Sequence, residues 1–410
     1  DPRQELASPM RIPPHSAGFV VLLGAMSAMP PFATDLGLPA LATIARSLHT
    51  SAGMSGLTIS LFMAGFAGTP LIYGPVSDRY GRKPVLVAGL TAFAVASLLC
   101  AVAPSIAILL IARLLEGAGA GAGITMAFAI VRDLFSGAAA RTRLSMVTVV
   151  INTAPVIAPT LGAVILTFAG WRAIYGALAA IGFLVVVVSL FGYAESRDPG
   201  TITPSGSLVS GYRRLFENRS CVGHFLIYGF GFGSAFAYIS GSSLVVISLY
   251  HATPTEYGLL FACTALGIVC GAALNGWLSA RGAHHLPMLP IGLACMIAVT
   301  ALLAVLVMSG PVRLSVLVPL FVLVTFSFGI IAPNASHGTL EPIPEIAGVA
   351  SGVLASFQMV CATVSSALVS LLFAPFGLAA MAAVMLLFAL AAGLAYLSLP
   401  RAARPERAVA

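Results

Sequence analysis

Two acids and one base stand inside long apolar stretches of this 410-residue chain: Asp35, Glu116 and Arg113. Asp35 lies about two-thirds of the way through the first apolar block. A carboxylate at that depth is costly unless it faces a polar cavity or carries a proton. A group that alternates between an apolar surrounding and a nearby cation can take up and release a proton. Pro30, Pro31 and Pro39 flank it and should kink the helix, opening backbone carbonyls. Arg113 needs an anion or several carbonyls, and Asp35 is the best anion outside its own helix. Glu116 follows three residues on and shares the helix face of Arg113. One arrangement has Asp35 and Glu116 competing for Arg113. The alternatives are a static Arg113–Glu116 pair and an Arg113 that ties the first and fourth helices together.

A second constellation is Gly74-Pro75-Val76-Ser77-Asp78-Arg79-Tyr80-Gly81-Arg82-Lys83, between two apolar blocks. Glycine allows a tight turn and a close neighbour. Asp78 is placed to bond backbone N–H groups or to pair with Arg82, forming a charged latch that opens in one state and closes in another. A basic loop that only fixes topology is the alternative. Arg132 and Asp133 end the fourth block and either join this cytoplasmic gate or anchor the interface. Pro155 and Pro159, four apart on the fifth block with Gly162 beyond them, should bend that helix and pack it on a partner in the other half. Candidates for a substrate cavity are Met29, Phe128, Asn152, Phe232, Phe236, Tyr238, Asn334, Phe357 and Gln358. Aromatic and Met surfaces with sparse polar groups suit varied amphipathic ligands, although ordinary helix packing uses the same residues.

Several chemistries find no support. The run from Gly117 to Gly123 is glycine-rich but apolar and lacks a following Lys, so it reads as a close-packing surface and not a phosphate loop. The six cysteines have no metal-ligand spacing and read as small packing residues. No nucleophile–base pair or metal cluster points to an enzyme.

These residues need elements to hold them, and composition says which. The chain is 59% hydrophobic and 8% charged, with mean hydropathy +1.02, against roughly a quarter charged residues in soluble domains. Twelve apolar blocks follow one another: 17–41, 53–73, 84–103, 105–131, 144–168, 172–193, 221–250, 257–280, 287–308, 314–336, 346–373 and 376–399. Each is long enough to cross a bilayer core with about 20 residues. The first is read as a retained helix and not a cleaved signal peptide. A polar stretch from Ala194 to Ser220 divides them six and six. The expected organisation is an N-terminal bundle at 1–193, a cytoplasmic linker at 194–220, and a C-terminal bundle and tail at 221–410. Of 20 Lys and Arg, 16 fall on one side if the N-terminus is cytoplasmic, among them Arg3, Arg11, Arg197, Arg213, Arg214, Arg401, Arg404 and Arg407; Arg46, Arg172 and Arg313 fall on the other. By the positive-inside rule both termini are cytoplasmic. The same clustering in short loops explains the net charge of +7 without nucleic acid. A decayed copy of the first signature, Gly276-Trp277-Leu278-Ser279-Ala280-Arg281-Gly282, follows the eighth block. The fold class is therefore all-α membrane protein: twelve transmembrane helices in two parallel six-helix bundles around a central cavity.

The signature Gly74–Lys83, with its decayed copy and midpoint linker, resembles the major facilitator superfamily over essentially the whole chain. Thr34-Asp35-Leu36-Gly37-Leu38-Pro39-Ala40 looks like the first-helix element of the bicyclomycin/chloramphenicol-resistance (Bcr/CflA) drug–proton antiporters. Arg113-Leu114-Leu115-Glu116-Gly117 with Ile130-Val131-Arg132-Asp133 is similar to their fourth helix, and Ala154-Pro155-Val156-Ile157-Ala158-Pro159-Thr160-Leu161-Gly162 to their antiporter motif. Pro333-Asn334-Ala335 with Ala347-Gly348 fits their tenth-to-eleventh helix region. That family usually has an aromatic residue and a Gln where this chain has Leu36-Gly37 and Glu116, and Gly162-Ala163 replaces a Gly pair. The resemblance implies multidrug efflux: export of small amphipathic drugs in exchange for protons, driven by the proton gradient without a cofactor, by a monomer in a bacterial inner membrane. A narrow-specificity metabolite transporter and a non-transporting membrane sensor are the alternatives.

Overall fold

The computed structural model describes residues 12–196, 208–282 and 286–400. Arg3, Arg11, Arg197, Arg401, Arg404 and Arg407, the middle of the linker and both termini lie outside the described residues. Among those described, regular structure is helical throughout. Twelve helices are long and apolar enough to span a membrane. They are α1 (Ala17–Ser47), α2 (Ala52–Tyr80), α3 (Arg82–Ala101), α4 (Ile106–Leu134), α5 (Gly137–Ala169) and α6 (Trp171–Gly192). After the linker come α7 (Arg219–Leu249), α8 (Pro254–Ala280), α9 (Met288–Ser309), α10 (Leu314–Leu340), α11 (Ala347–Phe376) and α12 (Leu378–Leu397). Large side chains such as Val21, Phe168 and Met308 are 69%, 85% and 86% exposed, an outer surface that only lipid can cover favourably.

Helix ends follow local chemistry. Ser16 and Ser105 cap α1 and α4, accepting from the Phe19 and Ile108 N–H groups. Thr253 and Glu256 form a reciprocal capping box at α8. The blocks were the right ones, but hydropathy misplaced some ends. The segment Gly74–Tyr80, expected as loop, is the last part of α2, and the turn is reduced to Gly81. Hydropathy reports contact with lipid, and a helix that continues into water keeps its backbone bonds while its side chains turn polar. The start of α5 at Gly137, ahead of Arg141 and Arg143, has the same cause. The polar linker also holds a short amphipathic helix, Leu208–Glu217.

The chain divides into two compact units, one comprising Asp1–Ala40 with Leu61–Pro204, the other Leu41–Ser60 with Ser205–Ala410. In the first, α3 packs along α4 and α6, and α1 along α5 and α4. In the second, α9 packs along α10 and α12, and α7 along α11 and α10. Each pairing in one unit has its counterpart six helices later, the internal arrangement expected of a duplicated bundle. The segment 41–60 is built into the second unit, where Ser60 Oγ donates to Ser366 Oγ at 2.8 Å.

Three spans depart from a continuous α-helix, α2 among them, broken at Gly68 between Ala67 and Thr69. The α-helical part of α1 stops at Asp35; Leu36 and Gly37 follow, then a 3₁₀ turn over Leu38–Ala40, then helix again from Leu41. The α7 span ends in a π-helical turn over Leu244–Leu249. Irregular backbone at membrane depth survives only where protein or a water-filled cavity surrounds it.

Candidate functional site

One end of the first unit is organised by Arg82. Gly81 separates α2 from α3 with φ +95°, a left-handed conformation that glycine adopts without strain. The chain then re-enters a helix at Arg82, whose side chain is 8% exposed. Its guanidinium reaches Asp78 Oδ1 at 2.8 Å, Asp133 Oδ2 at 2.8 Å and Ser77 Oγ at 2.5 Å. Arg82 thus ties α2, α3 and α4 together through charge-assisted hydrogen bonds. Asp133 joins this network as expected. Arg132 and Arg79 are exposed; the Arg79 guanidinium lies over the Tyr80 ring. Gly74 accepts from Ser77 Oγ within the helix, and only the backbone N–H of Lys83 is engaged here.

Sequence reasoning missed Glu195. Its two carboxylate oxygens accept from the backbone N–H groups of Arg82 and Lys83, both at 2.9 Å. These are unsatisfied donors at the start of α3, where the helix dipole also favours negative charge. The segment after α6 is therefore clamped to the start of α3. Tyr193 Oη donates to Ser196 Oγ at 2.7 Å, and burial pushes the Tyr193 phenol above its usual range, so it remains a donor. The signal was visible: Glu195 is an acid directly after an apolar block, opposite a basic turn.

Deeper in the same unit lies a second charged cluster. Arg113 and Glu116 of α4 are 1% and 0% exposed. Arg113 Nη1 donates to Glu116 Oε2 at 2.5 Å. Ser97 Oγ of α3 donates to Glu116 Oε1 at 2.7 Å, and the Cys100 thiol approaches Oε2 at 3.7 Å. The guanidinium lies over the ring of Phe62, 4.4 Å away, and beside that of Tyr175, 5.6 Å away. Among the described residues no ion pair joins Arg113 to Asp35. The carboxylate three residues along the same helix holds Arg113, and α3 supplies Glu116 with further donors.

Asp35 is 5% exposed and is the last residue before the break in α1. That end of a helix carries the negative end of the dipole and unpaired carbonyls, which disfavour an ionised carboxylate. Tyr175 links the two places. Its hydroxyl sits where it would touch a side chain at Gly37, at 3.5 Å, while its ring packs by Arg113. From α5, Gly162 lies against the Leu36 carbonyl, an approach that a β-carbon would block. The close contact at the end of the Pro155–Pro159 segment is thus made with α1 of its own unit. Pro159 is buried and Pro155 partly so.

Among the described residues, the second unit has no buried ion pair like that of Arg113 and Glu116. Gly65 of α2 abuts the Leu114 carbonyl and Gly117 the Phe62 carbonyl. In the second unit Gly267 of α8 abuts the Val322 carbonyl, and Thr325 Oγ1 donates to the Thr264 carbonyl at 2.8 Å. Around these contacts α10 buries no charge: Phe321, Val324, Thr325 and Phe328 are buried there. Nearby, Tyr238 packs its ring 4.6 Å from that of Phe321 and bonds Thr264 Oγ1 at 2.6 Å.

The proposed cavity residues are scattered. In the first unit Met29 is buried, Phe128 partly buried and Asn152 exposed. In the second, Phe232 pairs with Phe236 and Phe328, with ring centroids 5.4 Å apart in each case. Phe357 sits edge-on to Phe225 and Phe230. Asn334 donates to Asn275 Oδ1 at 2.8 Å, so its amide is committed to α8; Gln358 is half-buried.

Known proteins carry the same plan. A family model described as Major Facilitator Superfamily matches residues 19–366. An uncharacterized MFS-type transporter, YdgK, of Bacillus subtilis (strain 168) is 33% identical over 85% of this chain and 88% of its own length. The bicyclomycin resistance protein homolog of Haemophilus influenzae is 26% identical over 86% and 88%, and multidrug resistance protein D of Escherichia coli (strain K12) is 26% identical over the same shares. Among solved structures, a bacterial homolog of the human lysosomal transporter Spinster superposes with a TM-score of 0.74 at 15% identity, covering 96% of this chain and 99% of that one. A D-xylose–proton symporter gives 0.71 at 16% identity over 95% and 99%. These two establish the fold. Together with twelve membrane-length helices in two duplicated bundles, the comparisons place the chain in the Major Facilitator Superfamily as a multi-pass membrane transporter and not an enzyme.

Proposed function

We propose that this protein exports small amphipathic drugs in exchange for protons by alternating access, as a monomer in a bacterial inner membrane with both termini cytoplasmic. The observation that carries the reading is Asp35: a buried carboxylate at the break of a transmembrane helix, while Glu116 pairs with the base Arg113. Such a carboxylate is stable protonated and becomes an ion only when its surroundings change. A proton bound there in one conformation and released in another couples transport to the proton gradient, with no ATP and no cofactor. The names of the bicyclomycin-resistance and multidrug-resistance relatives support drugs as the cargo. In this reading Arg82 and Glu195 hold the cytoplasmic gate, and Arg113 with Glu116 keeps α4 in register with α3.

The test uses everted membrane vesicles with an acidified lumen and a pH-sensitive dye. A panel of amphipathic drugs should release lumenal protons through the wild type and not through Asp35→Asn. Binding of drugs without proton release would remove the coupling. A response confined to one polar metabolite would favour a narrow-specificity transporter of the same fold.

A further inference from the structure

A shallow hollow of ≈ 550 Å³ lies in the second unit where three spans end on one side. There α7 begins at Arg219, α10 ends at Leu340 and α12 ends at Leu397. The ends of spans mark the depth at which the hydrocarbon core gives way to headgroups. One wall is polar, with Arg214, Asn218, Arg219 and Ser220; Ile343 and Pro400 form the apolar side. Glu217 also lines the hollow, but Arg213 Nε holds its Oε1 at 2.6 Å and cancels its charge. Asn218 is neutral and caps α7, accepting from the N–H groups of Ser220 and Cys221. Arg214 and Arg219 have no carboxylate partner among the described residues, leaving two positive charges in one concavity at headgroup depth.

The linker helix Leu208–Glu217 carries Arg214 into place. Its Gly211 packs against Val349 of α11, Leu215 is fully buried, and Phe216 meets Phe225 of α7 edge-on at 6.0 Å. The helix is thus docked on the bundle, and the two guanidiniums are held by packed elements. Guanidinium groups bind phosphate oxygens in a planar, bidentate fashion. Basic hollows between span ends on the cytoplasmic side are suited to anionic headgroups.

We propose that this hollow is a binding site for the phosphate of an anionic phospholipid of the surrounding leaflet, held by Arg214 and Arg219 with the acyl chains lying outward past Ile343. A lipid seated there links the linker helix to the ends of α7, α10 and α12. The site lies apart from Asp35 and does not depend on what is transported.

Native mass spectrometry of the detergent-purified protein tests this with added phosphatidylglycerol or phosphatidylcholine. The wild type should retain phosphatidylglycerol preferentially. In the Arg214→Ala/Arg219→Ala double variant retention should fall roughly tenfold or more, while Arg141→Ala, which removes an exposed basic residue elsewhere, leaves it unchanged. The Arg214→Lys/Arg219→Lys variant keeps the charge, and it should keep most of the binding whatever the alanine variant does to folding. Equal retention by the double alanine variant overturns the proposal. Displacement of the lipid by millimolar inorganic phosphate, with equal thermal protection, overturns the lipid as the source of the phosphate.

Discussion

The two units share a plan of helix packing and differ in what they bury. Every charged side chain among the buried residues belongs to the first: Asp35, Arg82, Arg113 and Glu116. The second buries hydroxyls, His224, Asn275 and stacked aromatic rings instead. In one unit Arg113 and Glu116 face Ser97 and Cys100; in the other Phe321 packs on Tyr238, which bonds Thr264. An apolar core therefore suffices to build this bundle. Buried ion pairs are weak evidence for stability, because desolvation offsets much of the attraction. The charges in the first unit point to a task beyond holding helices together.

The largest expected effect follows from breaking that asymmetry at one atom. Asp35→Asn removes the titratable proton and should reduce drug-driven proton release in vesicles to background, while the protein still folds and inserts. Next comes Arg113→Ala, which strands the Glu116 carboxylate in the core. It should destabilise the purified protein by about 3–5 kcal/mol, read as a large drop in thermal midpoint. The double variant Arg113→Phe/Glu116→Val replaces the pair by apolar side chains of the kind that α10 buries. Its thermal stability should return to within about 1–2 kcal/mol of wild type, and its proton-coupled transport should not return.

Smaller effects separate the turn after α2 from the turn after α8. Gly81→Ala meets a left-handed backbone, and its added carbon would lie 2.7 Å from Glu195 Oε2. It should cost about 1–3 kcal/mol and loosen the hold of Glu195 on the start of α3. Gly282, with φ +77°, has open space around it. Gly282→Ala bears only the backbone cost, about 1 kcal/mol. The smallest change is Thr325→Val, which loses the hydroxyl bond to the Thr264 carbonyl, about 0.6 kcal/mol in a membrane bundle. Thermal unfolding of the purified variants orders all three.

Much of this was legible beforehand. Twelve apolar blocks identify the spans because crossing lipid demands an unbroken apolar length. Asp35, Arg113 and Glu116 declare themselves because charge in such a length is rare. What the sequence hid was contact. Nothing in the order of residues says that Glu116 holds Arg113 while Asp35 stands apart, since both carboxylates are within plausible reach. The role of Glu195 depends on a fold that returns α6 to the start of α3. The helix Leu208–Glu217 was obscured by surrounding Pro, Gly and Ser, although its Tyr212, Leu215 and Phe216 have helical spacing. The division of the chain at Ser60, within α2, follows from packing that hydropathy does not record.

The central claim is that Asp35 exchanges its proton for cargo. The direct measurement is proton release on drug addition to purified protein in weak buffer, followed by a pH indicator. The account predicts release of about one proton per bound drug from the wild type, since one carboxylate changes state, and none from Asp35→Asn, which still binds the drug. Undiminished release from Asp35→Asn would contradict it and move the coupling to another group.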